Sequence, residues 1–311
     1  MDRWIDGKNY RSIDLATIDL KGGEFVLNFD FNPMNNVLFK FIFGSEERKH
    51  ITIDFLNAVL EREGNSAIKE IEFRNVEFMS QRYEEKSARL DIFAIIDDKE
   101  RLDIEVQCIN HHDMEKRSLF YWAQMFLHSV SLMKAECYKD LMPAIAINIL
   151  DFNFLPFEKP HSMYSLYDQE NMHRLTDVLE IHFLEVPKFG KKPIEEMSRM
   201  EKWMTFFSRK LNLNQKQEIA LKESAIKDAL SAADVFFMDD KAFREYFARQ
   251  SAVMDYTADM ASARNEGREQ GEEKILRLID ALYKTGRQDD ITKLYSDKTF
   301  RENLYKEFNI I

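Results

Sequence analysis

Residues 87–110 have the sequence SARLDIFAIIDDKERLDIEVQCIN, in which two apolar-rich runs flank the turn residues Asp97 and Asp98. Two such runs around a short acidic turn predict a β-hairpin. A turn centred on Asp98 places Asp91 directly opposite Glu105 on the neighbouring strand. Opposed carboxylates repel each other and destabilise a sheet, so such a pair either stays solvated or holds a cation.

The alternation of side chains along a strand divides this hairpin into two faces. The first face is uniformly apolar and is predicted to pack against the core, with Leu90, Ile92, Ala94, Ile96, Leu102, Ile104 and Val106. The second face carries Asp91, Phe93, Ile95, Arg101, Asp103, Glu105 and Gln107. Opposed residues lie about 4.5–5.5 Å apart at Cβ, a separation that one divalent cation bridges through carboxylate oxygens. The residues alone leave a solvated acidic face and a cation site as open alternatives.

The composition is typical of a globular protein with an acidic surface. The chain has 311 residues, of which 45% are hydrophobic and 32% are charged. This length suffices for one large core, or for one core with an appended smaller domain. The 55 Asp and Glu residues outnumber the 44 Lys and Arg residues, which gives a net charge of −11. This charge disfavours nonspecific nucleic-acid binding by the whole surface, but it leaves room for a local basic cleft.

Cysteine usage and the N-terminal sequence indicate the compartment. Cys108 and Cys137 provide neither a disulfide framework nor the spacing of a zinc site. Reduced cysteines are typical of the cytoplasm. The first residues, MDRWIDGKNY, are too polar for a signal peptide, and no apolar run approaches the roughly 20 residues of a membrane span. The sequence therefore predicts a cytoplasmic protein that does not enter a membrane.

The patterns along the chain predict an N-terminal arm at 1–30, a mixed α/β domain at 31–213 and a helical region at 214–311. The helices predicted in the α/β domain cover 32–44, 46–61, 114–135 and 194–211, and the strands cover 68–79, 90–96, 102–106, 141–152, 161–168 and 179–185. The helix at 114–135 is expected to bury a stripe formed by Leu119, Trp122, Phe126, Val130 and Met133. Three to five helices are expected in the helical region. There, Gly267 and Gly271 indicate either a close approach of two helices or a flexible joint.

The runs RLDI at 89–92 and IEVQ at 104–107 resemble the hallmark of the PD-(D/E)XK nuclease superfamily. More narrowly, the chain is similar to the Rpn branch of recombination-promoting nucleases, also described as putative transposases, in which Gln occupies the Lys position of the motif. Other segments resemble this branch in the same order: FKFIFG at 39–44, DFLNAVL at 54–60, RSLFY at 117–121, LTD at 175–177, EIHFLEVPK at 180–188 and EGREQG at 266–271. The agreement covers residues 33–203 and 263–273.

The resemblance implies an α/β fold of the restriction-endonuclease type, with a mixed sheet core flanked by helices and an α-helical C-terminal region. The domain at 31–213 would then be the nuclease domain, and its reaction would be metal-dependent hydrolysis of phosphodiester bonds in DNA. Asp91 and Glu105 would hold Mg²⁺ or Mn²⁺, and Gln107 would orient the attacking water or a phosphate oxygen. Gln107 brings no positive charge, so more of the charge stabilisation falls on the metal.

Four other residues are candidates for supporting roles. Arg117 and Tyr121 lie one helical turn apart and could contact the phosphate, the alternatives being an ion pair of Arg117 with an acid and core packing of Tyr121. Lys40 could contact the DNA backbone or be simply exposed. Asn36 occupies a position where the family usually has Asp. Its neutral oxygen makes it an auxiliary ligand at best, which leaves the activity of this chain open.

Three hypotheses about function follow. The first is a Mg²⁺-dependent DNA endonuclease that acts in recombination, in mobile elements or in defence. The second is a catalytically inactive member with the same fold that binds DNA or protein. The third is a helical assembly protein that forms homo-oligomers through its C-terminal helices.

Overall fold

The structure, a computed structural model, describes residues 31–74, 91–132, 141–190, 192–208 and 213–310. It also describes four short strands within the first 30 residues: β1 at Arg3–Ile5, β2 at Lys8–Tyr10, β3 at Asp19–Lys21 and β4 at Glu24–Val26. They form two antiparallel pairs, which are not predicted from the sequence. Leu90, Cys137 and parts of the elements predicted at 68–79, 114–135 and 194–211 lie outside the described residues.

Six strands form one mixed sheet, in the order β5-β6-β7-β8-β10-β9. Their bounds are β5 Ile71–Arg74, β6 Ile92–Ile96, β7 Glu100–Gln107, β8 Ala144–Leu150, β9 His161–Tyr164 and β10 Leu179–Glu185. Strand β8 runs parallel to β7 and β10, and the other pairs are antiparallel. Every residue of β8 is buried, as expected for a central strand covered on both faces. The mixed sheet with flanking helices confirms the predicted fold class.

The predicted hairpin is formed by β6 and β7, and its register is confirmed. Ile92 pairs with Ile104, as a turn centred on Asp98 requires. Asp97 and Asp98 have positive φ angles of 48° and 56°. Asp tolerates this left-handed region better than most residues, and two consecutive positive φ angles match the twist of the strands that a tight turn connects.

The helices cover α1 Asn36–Phe43, α2 Lys49–Val59, α3 Met114–Leu132, α4 Arg199–Phe207, α5 Leu213–Ala220, α6 Ser224–Met238, α7 Asp240–Lys284, α8 Ile291–Ser296 and α9 Lys298–Glu307. Helix α1 begins after Asn35, whose side chain accepts a hydrogen bond from the N–H of Val37. It ends at Gly44, where an added Cβ would lie 2.8 Å from the carbonyl oxygen of Lys40. The glycine therefore lets the helix close its last turn tightly.

The main core lies between the apolar face of the sheet and helices α1, α2, α4 and α6. The predicted core residues of the hairpin, from Ile92 to Val106 on alternate positions, all belong to it. Aromatic rings fill the space between the helices, with the ring of Trp203 lying 5.6 Å from Phe43 and 5.7 Å from Phe55. The indole N–H of Trp203 donates to Oδ2 of Asp54 at 2.9 Å, so the one polar group of this buried ring has a hydrogen-bond partner.

The chain divides into two compact units, Met1–Gln250 and Ser251–Ile311, and the border falls within α7. The second unit has its own small core, with Leu278, Leu282, Leu294 and Leu304 buried. An added Cβ at Gly267 or at Gly271 meets nothing within 4 Å, so no described helix approaches closely there. Five α-helices are described from residue 213 onward, within the predicted range of three to five. The domain borders and the assembly role predicted above stay predictions.

Among the helices that the structure describes, none combines the length and the apolar composition needed to cross a membrane.

Candidate active site

Helix α3 covers the second face of the hairpin, for which the sequence left a solvated acidic face and a cation site as alternatives. Phe93 of β6 packs with Met125 of α3 and Ala144 of β8, and the indole N–H of Trp122 donates to the carbonyl of Ala144 at 2.8 Å. Of the stripe predicted for this helix, Trp122 and Phe126 pack inward as predicted, whereas Leu119 is 51% exposed. The side chains of Val130 and Met133 lie outside the described residues. The inward face also carries Met114, Ser118, Tyr121 and Met125. The helix therefore presents polar groups, as well as apolar ones, to a polar sheet face.

The two predicted carboxylates lie together beneath this helix. Glu105 is 4% exposed, and the Asp91 side chain is 11% exposed. The backbone N–H of Asp91 donates to Oε1 of Glu105 at 2.8 Å, and the backbone N–H of Val106 donates to Oδ2 of Asp91 at 3.2 Å. One oxygen of each acid is thus held by the backbone of the opposite strand. The acids are not a solvated strand face.

The other oxygen of each acid faces a cation. Nζ of Lys40, from α1, lies 3.0 Å from Oδ1 of Asp91. Nη2 of Arg117, from α3, lies 3.6 Å from Oε2 of Glu105, and its guanidinium lies 5.2 Å from the ring centroid of Tyr121. The structure therefore places two predicted phosphate contacts directly beside the two predicted metal ligands. An ion pair of Arg117 with an acid, one of the alternatives above, is also observed.

Burial determines the electrostatics of the acids. It raises the pKa of the Glu105 carboxyl to about 8, and the nearby charge of Asp91 acts in the same direction. The backbone N–H of Asp91 and the cations Arg117 and Lys40 oppose this shift of the Glu105 pKa. Burial likewise raises the pKa of Asp103 well above its ordinary value, with repulsion from Glu105 and Asp91 as further causes. Protonation of Glu105 and Asp103 is therefore favoured unless more positive charge is present.

Gln107 and Asn36 lie at the edge of this arrangement. Gln107 is half-buried on the same strand face as Glu105, and its Nε2 donates to the carbonyl of Ile109 at 3.3 Å. Asn36 is half-buried and opens α1 one turn before Lys40. Its Oδ1 is buried and has no hydrogen-bond donor among the described residues. The Oδ1 of Asn36, on the same face of α1 as Lys40, is therefore an acceptor that is available to a ligand.

The structure adds three polar residues, Asp103, Asn148 and Ser118, to the site residues predicted from the sequence. Asp103 is 1% exposed, and its Oδ1 has no donor among the residues described. Asn148 of β8 pairs with Glu105, accepts a hydrogen bond from Ser118 of α3 at 3.2 Å and donates to the carbonyl of His182 at 3.1 Å. Strand alternation already puts Asp103 on the face of Glu105. Only the parallel pairing of β7 with β8, which is not local in sequence, could have revealed Asn148.

The donor set suits a hard divalent cation. Carboxylate oxygens are the ligands that Mg²⁺ and Mn²⁺ prefer, and Mg²⁺ often takes only one or two of them together with water and substrate phosphates. Among the described residues, no group of three or more His, Cys, Asp or Glu side chains is placed to hold a metal ion. The buried Oδ1 of Asp103, on the same strand face, is an oxygen that no described donor satisfies. The residues therefore fit a cation held by two carboxylates, Asp91 and Glu105.

A second titratable cluster lies on the opposite face of the sheet. Nε2 of His161 lies 3.0 Å from Nδ1 of His182, and Nε2 of His182 lies 3.5 Å from Oε2 of Glu180. Burial lowers the pKa of His161 to about 4, and the neighbouring His182 and Lys159 contribute to this shift. The hydrogen bond from His182 lowers the pKa of Glu180 to about 2. This cluster has no contact with the acids of the candidate site that the structure describes.

Comparison with known proteins identifies one family. A family model described as PD-(D/E)XK nuclease family transposase matches residues 33–263, which is well over half of the chain. No curated protein and no solved structure shows significant similarity. The matched range contains all six strands of the mixed sheet and every predicted site residue.

Proposed function

We propose that this chain, which belongs to the PD-(D/E)XK nuclease family transposases, is a divalent-metal-dependent endonuclease that hydrolyses phosphodiester bonds in DNA. One observation carries the proposal. Asp91 and Glu105 lie opposite each other under α3, each with one oxygen held by the backbone and the other facing a cation. Burying two opposed acids costs free energy that a merely structural hairpin would avoid. The family description favours a role with mobile elements or in recombination.

The chain's own residues have distinct roles in this reaction. Mg²⁺ or Mn²⁺, when bound, would polarise the scissile phosphate and lower the pKa of a water. Asp91 and Glu105 supply its oxygen ligands, and Gln107 orients the attacking water or a phosphate oxygen through its amide. Lys40 and Arg117 bind phosphate oxygens. Arg117 suits this task because its planar guanidinium binds two oxygens at once.

A cleavage assay with supercoiled plasmid tests the proposal. We expect cleavage in Mg²⁺ or Mn²⁺ and none in EDTA. Asp91→Asn and Glu105→Gln each keep the shape of the side chain, and each is expected to lower the rate on the order of 100-fold or more, because charge stabilisation by the metal is lost. Glu115→Gln, an exposed acid on α3, is the matched control and leaves the rate unchanged. Thermal unfolding checks that each variant is folded. Cleavage at the wild-type rate by both active-site variants would remove these residues from the chemistry.

A second candidate function is DNA binding without hydrolysis. The observation that favours it is Asn36, whose buried amide oxygen stands where relatives usually provide a carboxylate. This alternative predicts salt-dependent DNA binding with no metal-stimulated cleavage. Asn36→Asp separates the two functions, since cleavage that appears only in this variant identifies an inactive natural chain.

A further inference from the structure

We infer that Lys40 and Arg117 are exchangeable counter-cations of the two acids. They form ion pairs with Asp91 and Glu105 until a divalent cation binds these acids, and they then bind DNA phosphates. This inference rests on the proposed function and deepens it, because it couples metal binding to DNA binding at the same site. In this inference the two basic residues change partners from carboxylate to phosphate, which distinguishes them from a fixed ion pair and from a permanent phosphate contact.

The geometry of the acids indicates where the competition occurs. Oε1 of Glu105 and Oδ2 of Asp91 already accept backbone hydrogen bonds across the hairpin. The remaining oxygens, Oδ1 of Asp91 and Oε2 of Glu105, are the ones that Lys40 and Arg117 approach. These two oxygens, which accept no described backbone hydrogen bond, are the ones most available to a cation bound by both acids. Such a cation therefore competes directly with the two basic side chains.

The exposure of the four side chains supports exchange. The acids are 11% and 5% exposed, whereas the side chains of Lys40 and Arg117 are 36% and 26% exposed. The basic groups thus lie on the solvent side of the acids and can leave without opening the core. They come from two different helices, α1 and α3, so each can move without the other.

The charges explain why release favours DNA. With both acids ionised, the two acids and the two basic groups are neutral together, and a divalent cation replaces the charge of both basic groups. The displaced Lys40 and Arg117 then carry two positive charges beside a cation site. A DNA backbone provides matching phosphates at close spacing, and Arg binds phosphate as well as carboxylate. Contact with the Tyr121 ring limits how far the Arg117 guanidinium moves.

The salt dependence of DNA binding measures this exchange. Each phosphate that is neutralised on duplex DNA contributes about −0.9 to the slope of log K against log salt. We expect the slope of the wild-type protein to steepen by about 1.8 when Ca²⁺ is added, because two more phosphate contacts form. Lys40→Met and Arg117→Met should each halve this change. Lys116→Met, an exposed neighbour on α3, should leave the change intact.

Calorimetry of Ca²⁺ binding without DNA gives a second readout. Removing one competing cation should raise the Ca²⁺ affinity about fivefold in Lys40→Met and in Arg117→Met, and Lys116→Met should not change it. Asp91→Asn is the control that abolishes the site and the salt effect together.

The possible failures are distinguishable. If the wild-type protein binds no Ca²⁺, the proposed function falls, and this inference falls with it. If Ca²⁺ binds but the salt slope does not change, the inference alone is overturned. The same holds if Ca²⁺ binds and the slope steepens in Lys40→Met and in Arg117→Met by as much as it does in the wild-type protein.

Discussion

Replacing Glu105 by Gln should remove part of the pH dependence of the free energy of unfolding. The Glu105 carboxyl has an ordinary pKa of 4.5, and burial raises this pKa to about 8 in the folded protein. Between these two values the folded chain holds a proton that the unfolded chain has released. Stability therefore falls as the pH rises through this window. Glu105→Gln keeps the shape of the side chain but cannot ionise, so its stability should lack this fall.

The magnitude follows from the width of the window. A shift from 4.5 to about 8 corresponds to on the order of 5 kcal/mol above pH 8, of which about 3 kcal/mol is already lost at pH 7. The slope of unfolding free energy against pH should differ between wild type and variant by about one proton, or roughly 1.4 kcal/mol per pH unit. Asp103→Asn should change the slope in the same direction, because burial also raises the pKa of Asp103.

Urea unfolding in EDTA, at intervals from pH 5 to pH 8.5, measures these slopes. The wild-type protein and Glu105→Gln should have similar stabilities at pH 5, and the variant should be the more stable of the two at pH 8.5. Glu115→Gln, on the exposed surface of α3, should follow the wild-type curve throughout. Parallel curves for wild type and Glu105→Gln would refute the reasoning, since they would show that the acid is not buried with a raised pKa.

Three further predictions concern the rest of the first unit. The stability of the wild-type protein should rise as the pH rises from 4 to 6.5, because the folded protein keeps the His161 imidazole neutral while the unfolded chain protonates it. His161→Gln should remove this rise, and urea unfolding across that range measures it. Tyr246→Phe should cost about 1–2 kcal/mol in urea unfolding, because the Tyr246 hydroxyl accepts the buried N–H of Asn32 at 2.7 Å, whereas Tyr295→Phe, at a 96% exposed position, should cost nothing measurable. Asn148→Ala should cost on the order of 2 kcal/mol in the same assay, because it deprives the carbonyl of His182 of the buried N–H that Asn148 donates. A cost below about 0.5 kcal/mol would contradict this role.

The hairpin shows how much of the site the sequence determines. Alternation over β6 and β7 and the acidic turn at Asp97 and Asp98 are local properties, and they were sufficient for the register and for the apolar face. The placement of Asp91 against Glu105 follows from that register alone. The same is true of α1, whose limits follow from Asn35 and Gly44.

The cover over the acids could not be predicted in the same way. A polar strand face usually meets solvent, and nothing local to β7 indicates that α3 lies over it. The buried face of α3 contains Ser118 and borders Arg117, whereas the most apolar stripe of its sequence passes through Leu119, which is exposed. Hydrophobic periodicity does not detect buried polar surfaces of this kind, because a helix that packs on charged groups is itself partly polar.

The long helix α7 has a consequence for how the chain is degraded. Its residues 254–273 are all exposed, and they include Gly267 and Gly271. A helix without packed neighbours has only marginal stability, and each interior glycine weakens it by about 1 kcal/mol relative to alanine. Backbone amides in this stretch should therefore exchange with solvent deuterium long before those of β8. A protease that needs locally unfolded chain should cut here first, and it would leave residues 31–250 with every acid of the candidate site still in place.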